Sequence, residues 1–187
     1  MTQKDDATII QSVLKGNADA FALLLERYGN KVYGLVMRLL ADEGEAEDAA
    51  QETFLQAYTH LHEYKGKANF GSWLFRIAYN TSLMRLRRRK NVQLPIEDYM
   101  ADSISDDEAD AALAEMTEQR IHLLEEALKR LPPNDRTLIT LFYYEERPMR
   151  DIAYVLDITV NNVATRLHRI RKRLCMIMKQ LEYEREK

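Results

Sequence analysis

The sequence contains few of the residues that break helices or cross-link chains. Its 187 residues include six glycines, four prolines and one cysteine, Cys175. A single cysteine excludes both an intrachain disulfide and a zinc site built from several thiolates. With so few glycines and prolines, and with apolar residues recurring at three- and four-residue spacing, the chain is predicted to be almost entirely helical. The predicted fold class is therefore all-α.

Long apolar runs are also missing. No stretch approaches the roughly 18 uninterrupted apolar residues of a membrane-spanning helix, and the N-terminus lacks the apolar segment of a secretory signal. We therefore expect a soluble, cytoplasmic protein with no membrane contact of its own. Hydrophobic residues still make up 46% of the chain, which is enough to build a core.

The motifs of common enzymes are absent as well. The sequence has no glycine-rich phosphate loop, no nucleophile elbow and no His-x-x-x-His pair, and its four histidines are scattered. We therefore expect no catalytic residues, no metal site and no cofactor, and we do not expect an enzyme.

Charge is unevenly distributed, although the formal net charge is only −3. Residues 64–90 contain eight Lys or Arg and no acid, residues 91–119 contain nine Asp or Glu and no base, and residues 158–181 contain six Lys or Arg and no acid. A single charge run is usually only a solvated surface. Two basic patches joined by an acidic segment indicate two nucleic-acid contacts on one chain.

The acidic segment also marks the domain boundary. Pro95 interrupts helix and the surrounding residues are dense in acids and poor in apolar side chains. We therefore predict a first domain over residues 1–90, an acidic linker over 91–112 and a second domain over 113–187. Within the first domain, the apolar spacing predicts separate helices around Phe21–Leu25 and around Val32–Leu39.

Residues 149–174 predict two helices around a tight turn at Asp157, where a short polar residue tolerates left-handed backbone. At about 100° per residue the second helix has an apolar stripe, formed by Val160, Val163, Leu167, Ile170 and Leu174. Its other faces carry amide, hydroxyl, imidazole and cationic groups, which read base edges and bind phosphates in a major groove. The predicted contacts are Asn161, Thr165, Arg166, His168, Arg169 and Lys172. An ordinary helical hairpin is the alternative.

Residues 43–62 predict a helix with two unlike faces. One face is an apolar stripe that includes Ala46 and Phe54, and the other carries Leu55 among carboxylates and amides. An apolar anchor with a charged rim is typical of partner-binding surfaces, although a plain solvated face fits equally well. The predicted partner-binding residues are Asp48, Gln51, Glu52 and Leu55. A metal pair is disfavoured because no histidine stands at ligand spacing.

Residues 70–90 interleave aromatic and basic side chains. That combination suits unpaired DNA, because bases stack on rings and phosphates bind cations. The alternative interpretation is that most of these aromatic side chains lie in the core, and we favour it for Trp73 and Ile77. The loop ahead of this helix is expected to be exposed and to contact DNA. The predicted contacts are Tyr64, Lys65, Lys67 and Asn69 in the loop, and Arg76, Asn80 and Arg87 on the helix.

Taken in order, these motifs resemble a bacterial RNA polymerase sigma factor of the extracytoplasmic-function (ECF) type. The resemblance runs from about Ile9 to Leu181. Its most specific pieces are Ala46-Glu-Asp-x-x-Gln-Glu-x-Phe54, Trp73-Leu-Phe-Arg-Ile-Ala-x-Asn80, Leu131-Pro-Pro and the terminal helix-turn-helix. The resemblance implies a factor that binds core RNA polymerase, recognises −35 and −10 promoter elements, promotes strand opening and directs initiation at a subset of promoters.

The resemblance also implies roles for the motifs. The helix with Asp48 and Leu55 would bind the β′ coiled coil of the polymerase, and the β flap is the other polymerase contact that the resemblance implies. The loop from Glu63 to Phe70 and the strip with Asn80 would capture non-template bases of the −10 element. The terminal helix would read the −35 element. The acidic linker would occupy the RNA-exit path, and an anti-sigma factor would hold the protein inactive.

Two other functions remain open from the residues alone. A stand-alone helix-turn-helix regulator would bind a duplex operator tightly without polymerase. A protein-interaction scaffold would have no role on DNA. For the sigma-type function we further hypothesise that free protein binds promoter DNA poorly, because the acidic linker competes for the basic faces.

Overall fold

The computed structural model describes residues 5–89 and 118–185, and these form eight α-helices and no strand. In chain order the helices are α1 (Asp6–Leu14), α2 (Phe21–Leu40), α3 (Glu43–Thr59), α4 (Phe70–Arg88), α5 (Glu118–Arg130), α6 (Pro133–Ile139), α7 (Met149–Leu156) and α8 (Val160–Arg185). The all-α prediction is confirmed for this part of the chain. The predicted linker over 91–112 lies outside the described residues.

The first four helices form the N-terminal lobe, in which α2, α3 and α4 pack against one another. Their apolar faces enclose Leu24, Leu35, Leu74 and Phe75, each with no exposed surface. Burying a side chain of this size contributes about 1.5–3 kcal/mol, so the three-helix core gives the lobe a stable frame. Asp42 caps α3 by accepting a 2.9 Å hydrogen bond from the backbone N–H of Glu45.

Helix α2 runs unbroken from Phe21 to Leu40. The prediction of two separate helices in this region is wrong, because the buried positions Phe21, Leu24, Tyr28 and Val32 continue one helical stripe through the middle of the segment. The helix ends at Ala41, whose backbone is left-handed, with φ at 53°.

The last four helices form the C-terminal lobe. Helix α8 is its longest element and packs against α5, α6 and α7. Pro133 is the first residue of α6. A backbone N–H at this position would have no acceptor within the helix, so proline, which lacks the N–H, costs no hydrogen bond there. Arg173 of α8 donates to the carboxylate of Asp135 at 2.7 Å, which fixes α6 against α8. Helix α7 packs against α8, so the lobe presents these two helices side by side.

The two lobes touch. Helix α7 packs against α4, and α6 packs against α2. The buried side chains of both lobes belong to one continuous cluster. The described structure is therefore a closed arrangement, with the helix-turn-helix seated on the N-terminal lobe.

Candidate nucleic-acid and polymerase interfaces

The helix-turn-helix has the predicted geometry. Asp157 ends α7 in left-handed backbone, with φ at 58° and ψ at 46°. Thr159 then caps α8, because its hydroxyl oxygen accepts a 3.2 Å hydrogen bond from the backbone N–H of Asn162. Most of the predicted stripe on α8 is buried, and Val163, Leu167, Ile170 and Leu174 all line the core; Val160 is the exception and is 44% exposed. This packing fixes which face of α8 is turned to solvent.

The outer face of α8 carries the residues predicted to contact the −35 element. Asn161, Thr165, His168 and Arg169 are exposed on this face, whereas Arg166 and Lys172 are half-buried at its edges. The Thr165 hydroxyl donates to the backbone carbonyl of Asn161 at 3.0 Å, so its oxygen can still accept a hydrogen bond from a base amino group. The face therefore offers donors and acceptors on one rigid helix.

Helix α3 exposes the apolar anchor of the second predicted site. The Leu55 side chain is 66% exposed, the largest exposure among the large hydrophobic residues of the described chain. Asp48 and Gln51 are exposed beside it, whereas Glu52 is half-buried. The sequence prediction that Leu55 faces outward is thus matched by its position in the structure.

An apolar groove adjoins Leu55. It has a volume of about 440 Å³ and lies between α2 and α3. Its walls are Phe21, Leu25, Gly29, Ala50, Gln51, Phe54, Leu55 and Tyr58. Leu25 and Tyr58 are 50% and 44% exposed, and the sequence analysis did not single them out. The spacing in the sequence could have identified Tyr58. It follows Leu55 by three residues and so lies about one helical turn further along the same face of α3.

Arginines from α4 neutralise part of the acidic rim. Arg85 donates to Glu52 at 2.8 Å and lies 3.8 Å from Asp48. Arg89 pairs with Glu45 at 2.5 Å and donates to the backbone carbonyl of Leu40 at 3.0 Å. Two cations of the basic patch over 64–90 thus bind α3 rather than facing DNA, because the end of α4 crosses that helix.

The loop ahead of α4 holds four of the predicted −10 contacts. Lys65, Lys67 and Asn69 are exposed, as the sequence analysis expected. Tyr64 is half-buried instead, because its ring packs edge-on against Phe70 with centroids 5.7 Å apart. Its hydroxyl donates to the backbone carbonyl of Ala68 at 2.8 Å, and burial raises the pKa of this phenol. The exposure predicted for Tyr64 is therefore wrong, and the residue braces the loop.

The three −10 contacts predicted on α4 have different surroundings. Asn80 and Arg87 are exposed. Arg76 is half-buried under α7, where it donates to the backbone carbonyl of Tyr154 at 2.9 Å and to Asp157 at 3.1 Å. Trp73 and Ile77 are partly buried against the core, which agrees with the reading favoured for them.

Within residues 5–89 and 118–185 no group of three or more His, Cys, Asp or Glu side chains is arranged to hold a metal ion. His60 and Glu63 form a 3.1 Å hydrogen bond, and this bond is the main reason that the pKa of Glu63 is lowered.

None of the described helices has the length and apolar character that crossing a membrane requires.

Both lobes match known families. Residues 24–92 match Sigma-70 region 2, and residues 121–174 match Sigma-70, region 4. The ECF RNA polymerase sigma factor SigW of Bacillus subtilis is 35% identical over 88% of this chain and 92% of its own length. RNA polymerase sigma-H factor of Pseudomonas aeruginosa is 34% identical over 92% and 93% of the two chains. These matches do not favour a stand-alone helix-turn-helix regulator.

Two solved structures share the fold. CnrH, in complex with the cytosolic domain of CnrY, aligns with a TM-score of 0.68 at 22% identity over 94% of this chain and 97% of that chain. The sigma factor RpoE from Bartonella quintana, in complex with the anti-sigma factor NepR, aligns with a TM-score of 0.63 at 21% identity over 85% and 96%. These two structures show the fold, and the sequence matches show the family: the chain belongs to the ECF family of RNA polymerase sigma factors, non-enzymatic initiation factors that recognise promoters.

Proposed function

We propose that the described surfaces divide the work of initiation between the two lobes. The observation that carries this proposal is the outer face of α8, where polar and cationic side chains are exposed on a helix whose opposite face is buried. The proposal keeps the domain boundaries predicted from the sequence. Residues 1–90 bind polymerase and the −10 element, residues 91–112 form the linker, and residues 113–187 bind the −35 element. The protein acts in the cytoplasm, where its polymerase partner works.

The −35 site is the N-terminal half of α8. Asn161, Thr165 and Arg169 follow one another at four-residue spacing, which aligns them along the groove-facing side of a helix. Amide, hydroxyl and guanidinium groups form the side-chain pairs with adenine and guanine edges that give direct readout. The half-buried cations Arg166 and Lys172 reach the flanking phosphates, which set register without reading sequence.

The −10 site is the loop before α4 and the polar strip along it. Lys65 and Lys67 are exposed around Gly66, whose φ of 67° turns the loop. Further along, Asn80 and Arg87 are exposed on α4. Non-template bases leave their stack to be bound here, at a cost of a few kcal/mol that contributes to selectivity. Asn69 and Arg76 complete the site, and Tyr64 supports the loop from below.

The proposed polymerase sites are two apolar grooves, one in each lobe. Leu55 and its groove receive the β′ coiled coil, with Asp48, Gln51 and Glu52 as the charged rim. A second groove of about 310 Å³ in the C-terminal lobe is the site proposed for the β flap. Leu124, Leu128, Ile139, Tyr143, Tyr144, Arg171 and Leu174 form its walls. In such an interface the apolar residues at the centre provide most of the binding energy, and the charged residues around them provide selectivity.

An anti-sigma factor is proposed as the regulatory partner. Support comes from the solved structures that share the fold, since RpoE is bound there to the anti-sigma factor NepR and CnrH to the cytosolic domain of CnrY. The two apolar grooves supply surfaces that such a partner can cover. Covering either groove would keep the chain from polymerase while leaving its fold unchanged.

Association with core polymerase tests the proposal, and Leu55→Arg is the cleanest variant. Charge reversal at Glu52 would instead place two cations together, because Glu52 pairs with Arg85 at 2.8 Å. Leu55→Arg removes the anchor without disturbing a buried contact. Leu14→Arg is the matched control, because Leu14 is 52% exposed at the end of α1.

We expect Leu55→Arg to abolish co-elution with purified core enzyme on gel filtration and Leu14→Arg to retain it. Circular dichroism should be the same for both variants. Equal co-elution of Leu55→Arg and the unmodified chain would remove the polymerase-binding role from α3.

A further inference from the structure

Two apolar side chains lie on the outer face of α8, among the polar ones. Val160 is the first residue of this helix and is 44% exposed, and Ala164 is exposed about one turn further along. The sequence analysis placed Val160 on the buried stripe, but in the structure the other members of that stripe line the core and Val160 does not. The solvent-facing side of α8 therefore begins with a short apolar row.

This apolar row lies directly beside the polar row proposed to read bases. At about 100° per residue, Val160 and Ala164 stand about 40° apart around the helix, and Asn161 and Thr165 follow each of them by about 100°. Both rows are exposed, so both belong to the side of α8 proposed to enter the groove. In a helix-turn-helix, the N-terminal residues of the second helix are those that contact base edges.

The sizes of the exposed side chains favour close contact near the start of α8. The exposed residues there are all short, namely Val160, Asn161, Asn162, Ala164 and Thr165, and the longer His168 and Arg169 come after them. Short side chains let the backbone of a helix approach the floor of the groove, because nothing longer stands between them. The apolar atoms of Val160 and Ala164 would then touch base edges directly.

Thymine is the base whose major-groove edge matches an apolar side chain. It carries a C5-methyl group there, whereas the other bases offer hydrogen-bond donors and acceptors without a methyl group. A valine or alanine placed against a donor or acceptor would displace its water and supply no partner, which weakens binding. Against a methyl group, the same side chain removes apolar surface from water on both molecules.

We propose that Val160 and Ala164 are specificity-determining residues, which select thymine at one or two adjacent base pairs of the −35 element by contact with its 5-methyl group. This inference rests on the proposed function, because it takes α8 as the helix that reads the −35 element. Asn161, Thr165 and Arg169 then read neighbouring edges by hydrogen bonds. The apolar row adds a preference for thymine over the same base without its methyl group.

Replacing thymine by deoxyuridine tests the proposal, because deoxyuridine keeps the base pairing and the O4 acceptor and lacks only the methyl group. Promoters are first mapped by transcription of genomic fragments with core polymerase and the full chain. Each thymine of the −35 element, on either strand, is then replaced singly. The affinity of the polymerase complex for the thymine and deoxyuridine promoters is measured by competition.

Four proteins are compared: the unmodified chain, Val160→Ala, Ala164→Gly and Leu23→Ala. Leu23 provides the matched control, because it is an apolar side chain 42% exposed on α2, in the other lobe. Both promoters are measured with the same variant, so a change in the stability of α8 cancels from their ratio. The ratio therefore reports the methyl contact and not the folding of the helix.

With the unmodified chain and with Leu23→Ala, we expect deoxyuridine to weaken binding about fourfold at one or two adjacent positions, which is the effect of one buried methyl group. With Val160→Ala the ratio at one of these positions should fall to about one, because its methyl partner is gone. Ala164→Gly should abolish the deoxyuridine effect at the neighbouring position.

A deoxyuridine effect of the same size in all four proteins would overturn the proposal, and so would the lack of an effect at any −35 thymine. Equal losses of affinity for both promoters in Val160→Ala would assign that residue to packing alone. A −35 element without thymine on either strand would also contradict the proposal. If no fragment is transcribed, the proposed function fails and this inference with it, whereas initiation with unchanged discrimination removes the inference only.

Discussion

Arg76 and Arg85 show how position on one helix separates the roles of two identical side chains. They lie nine residues apart on α4, which at about 100° per residue turns them to opposite sides. Arg76 binds the backbone carbonyl of Tyr154 on α7, whereas Arg85 binds Glu52 on α3. Arg85 therefore stabilises the lobe that carries the proposed polymerase site, and Arg76 belongs to the surface proposed for DNA.

Arg169 should contribute sequence readout at the −35 element. Replacing it with alanine is expected to lower promoter affinity of the polymerase complex by about 1–3 kcal/mol, the range for one good contact to a base edge. It should also relax specificity at one base pair. The measurement is initiation from promoters substituted singly across the −35 element.

Lys15→Ala is the control for that loss of charge, since Lys15 is exposed at the end of α1. It should leave the pattern of −35 preference unchanged. A uniform weakening by Arg169→Ala at every −35 sequence would assign Arg169 to phosphate binding instead.

Asp5 should make the start of α1 sensitive to acid. Hydrogen bonds from Thr8 hold the pKa of this carboxyl below its ordinary value. A lowered pKa in the folded state means that the cap contributes stability above about pH 4, the unfolded value, and loses it as pH falls through the folded pKa. In a pH titration by NMR, the Thr8 amide shift should follow an ionisation below pH 4, and Asp5→Asn should abolish that titration. An Asp5 pKa at or above about 3.9 would contradict the capping role.

The end of α2 shows what one residue contributes to an element. Ala41 adopts left-handed backbone, with φ at 53°, and its N–H donates to the carbonyl of Met37. A residue with a Cβ carries about 1–2 kcal/mol of strain in this conformation, and glycine carries none. We therefore expect Ala41→Gly to stabilise the protein by about 0.5–1 kcal/mol, after allowing for the greater freedom of glycine in the unfolded chain.

The same substitution inside a helix should have the opposite sign. Ala164 is exposed within α8, and Ala164→Gly is expected to destabilise by about 0.5–1 kcal/mol. Urea unfolding followed by circular dichroism measures both changes. Destabilisation by both variants would show that the strain at Ala41 is not relieved by glycine.

The helices of the C-terminal lobe were the most predictable elements. On α8 the 3.6-residue period alone separates Val163 and Leu167, which are buried, from Thr165 and Arg169, which are exposed. Asp157 adopts the left-handed backbone that its place in the turn predicted. Local pattern determined these features, because each depends on neighbours within one or two helical turns.

The features that the sequence did not predict depend on distant contacts. Tyr64 is half-buried because the aromatic ring of Phe70 packs against it, and Arg85 is paired because α4 crosses α3. Arg76 meets the carbonyl of Tyr154 across 78 residues of sequence. The periodicity of one segment carries no information about such partners, because they are determined by how the whole chain packs.

At the scale of the whole molecule, the closed arrangement and the proposed activity require different lobe positions. The face of α4 proposed for the −10 element is partly covered by α7, whereas the outer face of α8 and the groove at Leu55 stay open. Activity of the chain should depend on core polymerase more strongly than on its own affinity for DNA.

Transcription in vitro with purified core polymerase tests the central claim most directly. Fragments of a bacterial genome are transcribed with and without the full chain, and RNA 5′ ends are mapped. We predict discrete 5′ ends that appear only when the chain is present, share −35 and −10 elements upstream, disappear with Leu55→Arg and persist with Leu14→Arg. The absence of any new 5′ end, together with tight binding of the free chain to a duplex operator, would contradict the account.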